Sequence, residues 1–280
     1  TLDTLNYAAI IKEEIMDTLA ATVILPKLIR QESLAGKPSI AMSFPKYPSL
    51  TAASVNEATD LTNTAVTTTQ NTVTAGEVGW MTTLTDVAKL SVIGNTAGDI
   101  GRLAGEAIAR KIDSDIFALL DNLNSDSAVG SSGSNLTIAN FETAIYTLRA
   151  NNAKPPYVFA GHPIQLSDLR SAITATTGTP FGNVTPANLV NNDSLGFEYN
   201  FEGIDCYSST QSPTANTAAD RVGAMFSMGK NAPVAMVTKW TAKVEPQRNA
   251  SLRASEIVAT AMYGVGEIED LAGVPVITDA

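Results

Sequence analysis

A single cysteine in 280 residues, Cys206, leaves nothing for an intramolecular disulfide to join. Stability must come from packing and association, and Cys206 itself reads as a small buried residue of a strand. Histidine is equally scarce. His162 stands alone between Gly161 and Pro163 at the end of an apolar run, and no nucleophile or acid occupies a motif context that would make it a base, so it reads as a turn residue. Basic charge is thin: 18 Lys and Arg against 28 Asp and Glu give a net charge of −10 with no basic cluster, which excludes a surface built to neutralise phosphates. No apolar run has the length of a membrane span, and Asp3, Glu13 and Glu14 stand where a signal peptide would carry cations. Paired-cysteine zinc motifs, the His-Glu zinc helix and the phosphate loop are all missing, and Gly264-Val265-Gly266 lacks the third glycine and following helix of a dinucleotide site. No metal, cofactor or catalytic set is expected. A start at Thr1 is compatible with loss of an initiator methionine or with proteolytic processing.

What is present is apolar and long. With 44% hydrophobic and 16% charged residues, the chain can bury a substantial core and form two compact regions. Between residues 47 and 85 it carries twelve threonines but only three charges, Glu57, Asp60 and Glu77. Such a segment has too few large apolar groups to fold alone and too little charge to stay a solvated linker, so it should lie against something, most simply another copy of the chain. Ser39 to Phe44 alternates as an outgoing strand and Val73 to Thr85 as a returning one, with the tip near residues 56–71.

Elements on either side follow from periodicity. Leu5, Ala8, Ala9, Ile15, Met16 and Leu19 predict an amphipathic helix over residues 2–19, suited equally to its own core or to a neighbour. The strongest helix is predicted from Thr96 to about Asn122, with Ile100, Leu103, Ile108, Ile112, Ile116 and Leu120 on one stripe. At about 1.5 Å per residue it spans roughly 40 Å, a spine for a domain. Asp113, Asp115 and Asp121 on that helix read as a solvated face or ion pairs, since hard-cation loops need tight turns. The Ser- and Gly-rich residues 124–135 read as a flexible domain boundary. Thr137 then caps a helix, Tyr157 to Ala160 is a strand, and Pro163 opens another helix. Strands follow at Ile204 to Tyr207, Val222 to Met228, Val234 to Glu245 and Ser255 to Val265. Glu267, Glu269 and Asp270 read as surface charge. The fold class is α+β with discontinuous domains.

This order of elements resembles a known family. An N-terminal arm and a Thr-rich β excursion returning through Glu77-Val78-Gly79-Trp80-Met81-Thr82 precede the spine helix. A helix-strand-helix unit with Ala160-Gly161-His162-Pro163 and Leu166-Ser167-Asp168-Leu169-Arg170 follows, and then late β segments. The layout is similar to that of major capsid proteins of tailed double-stranded DNA bacteriophages, the Hong Kong 97 type of fold. The resemblance implies an N-terminal arm over residues 1–38, an extended loop over 39–83, a peripheral domain from 84–135 and 232–266, and an axial domain from 136–231 and 267–280. It also implies assembly through hexamers and pentamers into an icosahedral shell around DNA, in the host cytoplasm and then the virion. Partners would be a scaffolding protein, a portal and a cement protein, and DNA would be enclosed without sequence-specific binding. Only about 38 residues precede the loop, which implies a separate or already removed scaffold. The absence of lysine between Lys46 and Lys89 leaves the loop interior without an amine for covalent cross-linking. Because the loop overlies a neighbour in this fold, Glu57 and Asp60 are expected to meet Arg248 or Arg253 across subunits. The alternatives are an encapsulin-like compartment, which would need an interior peptide-binding pocket, and a small-molecule enzyme using His162.

Overall fold

The computed structural model describes residues 2–279 except 49, 53, 58, 59, 61, 62, 64, 92–95, 125, 126, 176–195 and 216–218; within its helices the side chains of 2–7, 20, 89, 90, 96, 174 and 175 are also left out. The chain opens with helix α1 (Leu2–Thr22), a 3₁₀ turn (Leu25–Lys27) and strand β1 (Arg30–Ser33). Strands β2 (Ala41–Lys46) and β3 (Thr69–Thr74) pair antiparallel, and β4 (Gly76–Thr85) leads through the short α2 (Asp86–Ser91) into the spine helix α3 (Thr96–Leu120). Then come α4 (Ile138–Ala150), β5 (Tyr157–Gly161), α5 (Pro163–Ala175), β6 (Phe197–Phe201), β7 (Ile204–Ser208) and β8 (Asp220–Ser227). The long hairpin β9 (Val234–Asn249) and β10 (Ala254–Glu267) precedes the final strand β11 (Gly273–Asp279). The Thr- and Gly-rich segment around residues 176–192, expected to be a loop, lies outside the described residues.

Three sheets result, in the orders β1-β9-β10-β4, β11-β8-β5-β7-β6 and β2-β3. Alternation splits the five-stranded sheet between two cores. Val158, Ala160, Ala224 and Phe226 face α3 and the four-stranded sheet, whereas Phe159 and Met225 face α4 and α5 with Phe141, Leu166 and Tyr199. Phe141 meets Phe159 and Phe201 edge-on at centroid distances of 5.6 and 5.4 Å. Thr137 caps α4 as expected, its hydroxyl accepting from the Asn140 amide at 3.2 Å.

α1 docks on α3 of the same chain. Ile11, Ile15 and Leu19 are buried there, and the helices approach so closely that a Cβ on Gly101 would stand 2.8 Å from Glu14 Cβ, and one on Gly105 2.9 Å from Thr18 Cβ. Leu103 does not belong to the buried stripe: it is 53% exposed, whereas Ala104, Ile108, Ile116 and Leu120 are buried. A helical stripe wider than the real contact contains residues that only tertiary packing can sort.

Two further expectations change. The returning strand is not continuous from Val73 to Thr85. It breaks at Ala75, whose amide donates to the Ile40 carbonyl at 2.8 Å, so that β3 closes the loop hairpin while β4 pairs with β10. The crossing explains the late glycines, because a Cβ on Gly264 would collide with the Thr74 carbonyl and one on Gly266 would press on Val73. Nor is the Ser- and Gly-rich boundary loose. Ser132 Oγ and the Gly133 amide donate to the fully buried Asp220 carboxylate at 2.5 and 3.0 Å, and Val129 forms a parallel bridge with Val276 of β11.

Candidate functional site

Among the described residues, surfaces for chemistry or association lie at four places, the first of them the loop. Its base is anchored: Phe44 and Val73 are buried with Leu34, Ala235 and Val237, and the Arg30 guanidinium lies 4.9 Å from the Phe44 ring centroid. Lys46 pairs with Glu269 at 2.7 Å, and Asn71 Nδ2 donates to the Glu267 and Ile268 carbonyls at 3.2 Å. Asp270 Oδ1 accepts from the Asn124 amide at 2.5 Å, so Glu269 and Asp270 of the acidic tail are both engaged within the chain. Burial, and then the nearby Asp270 carboxylate, push the Glu267 carboxyl upward. Beyond the base the chain carries exposed large apolar groups, Tyr47, Leu50, Val55 and Val66, and none joins a core of its own subunit. Glu57 and Asp60 are exposed on the same excursion.

The second place is the tip of the β9–β10 hairpin. Arg248 Nη1 and Nη2 donate to both Asp86 carboxylate oxygens at 2.7 and 2.6 Å, and the Asp86 amide donates to the Arg253 carbonyl at 3.0 Å. Within the subunit Arg248 is therefore engaged by α2, a partner 162 residues away that no spacing suggests. Glu57, Asp60 and Arg253 make no ion pair within the subunit among the described residues. Leu252 and Val87, 58% and 77% exposed, add apolar surface beside Arg253 and Asp86.

His162 lies at the third place, the start of α5. Its Nδ1 accepts from the Ile164 amide at 3.4 Å and its own amide donates to Gln165 Oε1 at 3.0 Å. Gln165 is fully buried and its Nε2 donates to the Arg221 carbonyl and to Thr278 Oγ1, tying α5 to β8 and β11. Burial, and then the Arg221 cation, lower the His162 pKa, which favours the neutral cap. The histidine thus caps the start of α5 and belongs to a structural network. Cys206 is fully buried, with its thiol pushed far up by burial, and is no nucleophile. Among the described residues no group of three or more His, Cys, Asp or Glu side chains is placed to hold a metal ion. Among the described residues no helix is long and apolar enough to cross a membrane.

The fourth place is an apolar cleft of about 240 Å³ between α1, α3 and the β9–β10 hairpin, lined by Met16, Leu19, Met236, Trp240, Ala261 and Tyr263 among others. Trp240 Nε1 is out of solvent and has no acceptor among the described residues. The Tyr263 hydroxyl donates to Asp115 Oδ2 at 2.7 Å, and Asp115 also pairs with Lys111 at 2.5 Å, as an ion-pair reading of that carboxylate expects. Asp113 departs from the solvated face: it is 4% exposed, and its Oδ1 accepts from the Leu25 amide at 3.2 Å. Sequence reasoning missed this cleft because its walls come from three distant segments.

Comparison with known proteins is consistent with this picture. No protein-family model and no curated protein sequence matches the chain. Solved structures do. The capsid of the cyanophage P-SCSP1u superimposes with a TM-score of 0.67 at 16% identity, covering 92% of this chain and 88% of that one. The head structure of Helicobacter pylori bacteriophage KHP40 gives 0.67 at 11% identity, with coverages of 92% and 91%. The holo-SrpI encapsulin complex from Synechococcus elongatus PCC 7942 also gives 0.67, at 13% identity and coverages of 91% and 86%. The chain shares the α+β fold of these phage capsid and encapsulin structures along almost its whole length.

Proposed function

We propose that the chain is a major capsid protein of a tailed double-stranded DNA phage, which assembles through hexamers and pentamers into an icosahedral shell around the genome. The observation that carries this reading is the exposed apolar loop. In a chain whose fold is otherwise that of shell proteins, Tyr47, Leu50, Val55 and Val66 find no partner on their own subunit and call for one on the next. In this reading residues 1–38 are the arm and 39–83 the extended loop. Residues 84–135 with 232–266 form the peripheral domain, and 136–231 with 267–280 the axial domain. A scaffolding protein, a portal and a cement protein complete the particle, which forms in the host cytoplasm and persists as the virion shell. The net charge of −10 suits a wall that must not bind its packaged DNA tightly. Electron microscopy of the purified full-length protein tests the reading: closed, regular shells are expected, and a small oligomer that never closes overturns it.

The loop acids are proposed to meet the hairpin arginines of a neighbour. Arg253 is the better partner, because Arg248 would first have to leave Asp86. One exposed pair contributes little, but repetition over a whole shell multiplies it. Glu57→Lys is expected to lower shell yield severalfold and Arg253→Glu in the same chain to restore part of it, read by sedimentation. An unchanged yield, or no rescue, removes the pairing while leaving the shell reading in place.

The apolar cleft favours a second reading, an encapsulin-like compartment that encloses protein cargo held by a short apolar peptide. The contents of the shells separate the two: nucleic acid supports the first, and stoichiometric copurifying protein the second.

A further inference from the structure

We propose that Asp113 is a proton-sensitive latch for the N-terminal helix: α1 is held on the spine when this carboxyl is neutral and loosens when it ionises. The geometry starts from a carboxyl placed on the buried side of α3, 4% exposed, where an ordinary core helix would carry an apolar residue. It receives the amide of Leu25 at 3.2 Å, at the 3₁₀ turn that joins α1 to β1. Leu25 and Pro26 are buried beside it, so the turn cannot shift without uncovering the carboxyl. The chain after the turn is fixed independently: β1 lies in register with β9 from Arg30 to Ser33, and the Gly229 amide donates to the Leu28 carbonyl at 2.8 Å. Movement at the latch therefore frees α1 and leaves β1 in its sheet.

Burial outweighs the electrostatic influences that favour the charged form. Burial pushes the Asp113 carboxyl from 3.8 up to about 6, against the opposing pull of the Leu25 and Ile24 amides and of the Lys27 charge. Lys27, on the turn, is the charged side chain whose field reaches it. On α3 itself Asp115 is committed to Lys111, and from β10 the Tyr263 hydroxyl is committed to Asp115. On α1, Lys12, Glu13 and Asp17 are exposed. The docked state binds the proton more tightly than the open one, so docking is favoured in full below pH 3.8 and that advantage is lost as pH rises through about 6. A difference of about two pKa units corresponds to a change in the docking equilibrium on the order of a hundredfold. Loosening α1 would also remove the Met16 and Leu19 wall of the apolar cleft. The device does not depend on what the shell contains.

Hydrogen exchange of the full-length chain by mass spectrometry tests it. Exchange of peptides from residues 8–22 is compared with that of α4 peptides from 138–150, whose ratio cancels the intrinsic pH dependence. Between pH 5 and pH 7.5 the ratio is expected to rise by about tenfold in the unmodified chain, the part of the full hundredfold that lies above pH 5. Asp113→Asn keeps a carbonyl acceptor but cannot ionise, and should stay near the pH 5 value throughout. Asp113→Ala, which lacks the acceptor, should exchange fast at both pH values. A flat ratio in the unmodified chain, or an Asn variant that follows it, overturns the latch. If neither variant folds, the unmodified chain's ratio alone decides.

Discussion

Excision of residues 50–66, bridged by a short Gly-Ser linker, is expected to leave a folded, soluble subunit that no longer closes shells. Ordering a residue costs about 1–2 kcal/mol in backbone entropy, and this segment offers its own subunit little in return. Leu50, Val55 and Val66 are 63%, 53% and 50% exposed, and none of the described residues of the segment enters any of the three cores. The hairpin beneath it should survive, because Phe44 and Val73 stay buried and Asn71 still reaches the Glu267 and Ile268 carbonyls. A cut that extended through Asn71 would remove half of β3 and confound folding with assembly. The measurement pairs a melting curve of the unassembled subunit, expected within a few degrees of the intact chain, with electron micrographs, expected to be free of closed particles. Normal shells from the excised chain would sink the idea that this segment is an assembly element.

How much of this was legible in the sequence depends on how far apart in the chain the cause lies. The spine helix was readable because its own apolar residues recur at helical spacing, and the β9–β10 hairpin because two long alternating runs flank one polar turn. The loop was readable from composition, as a stretch with few large apolar groups and little charge. β1 was missed because Arg30-Gln31-Glu32-Ser33 has no apolar alternation. It is a strand only because β9 offers a parallel edge. β11 was missed in part because Pro275 argues against a strand interior, yet it lies at a sheet edge where a missing amide is tolerated. The break at Ala75 depends on Gly264, nearly two hundred residues on, and the pairing of Arg248 with Asp86 is as remote. Asp113 is the clearest case: on a helix already rich in aspartate it looks solvated, and only the returning N-terminal turn buries it. The function read from the sequence therefore rests on the order of elements, whereas the cleft and the burial of Asp113 arise only when distant segments meet in the fold.

Truncating Ile116 to alanine should cost about 2–5 kcal/mol, because the residue is fully buried in the core that α3 shares with residues of both large sheets and its loss leaves a cavity. For a chain of this size that corresponds to a fall in melting temperature of roughly 4–20 °C. Leu103→Ala, on the same helix, is the control. Its side chain is 53% exposed and near the Arg102–Glu106 ion pair, so its loss should change stability by less than about 0.5 kcal/mol. Periodicity alone ranks these two positions as equals, and only the packing of α1 and the sheets tells them apart. Ile112 sits between the two: it is 5% exposed but lines the apolar cleft, where truncation enlarges an opening already present and costs less than at Ile116. Calorimetry of dissociated subunits decides the order. If Ile116→Ala melts with the intact chain, α3 is not the core of the subunit. If Leu103→Ala leaves melting unchanged but lowers shell yield, the exposed side of the spine is an assembly surface in its own right.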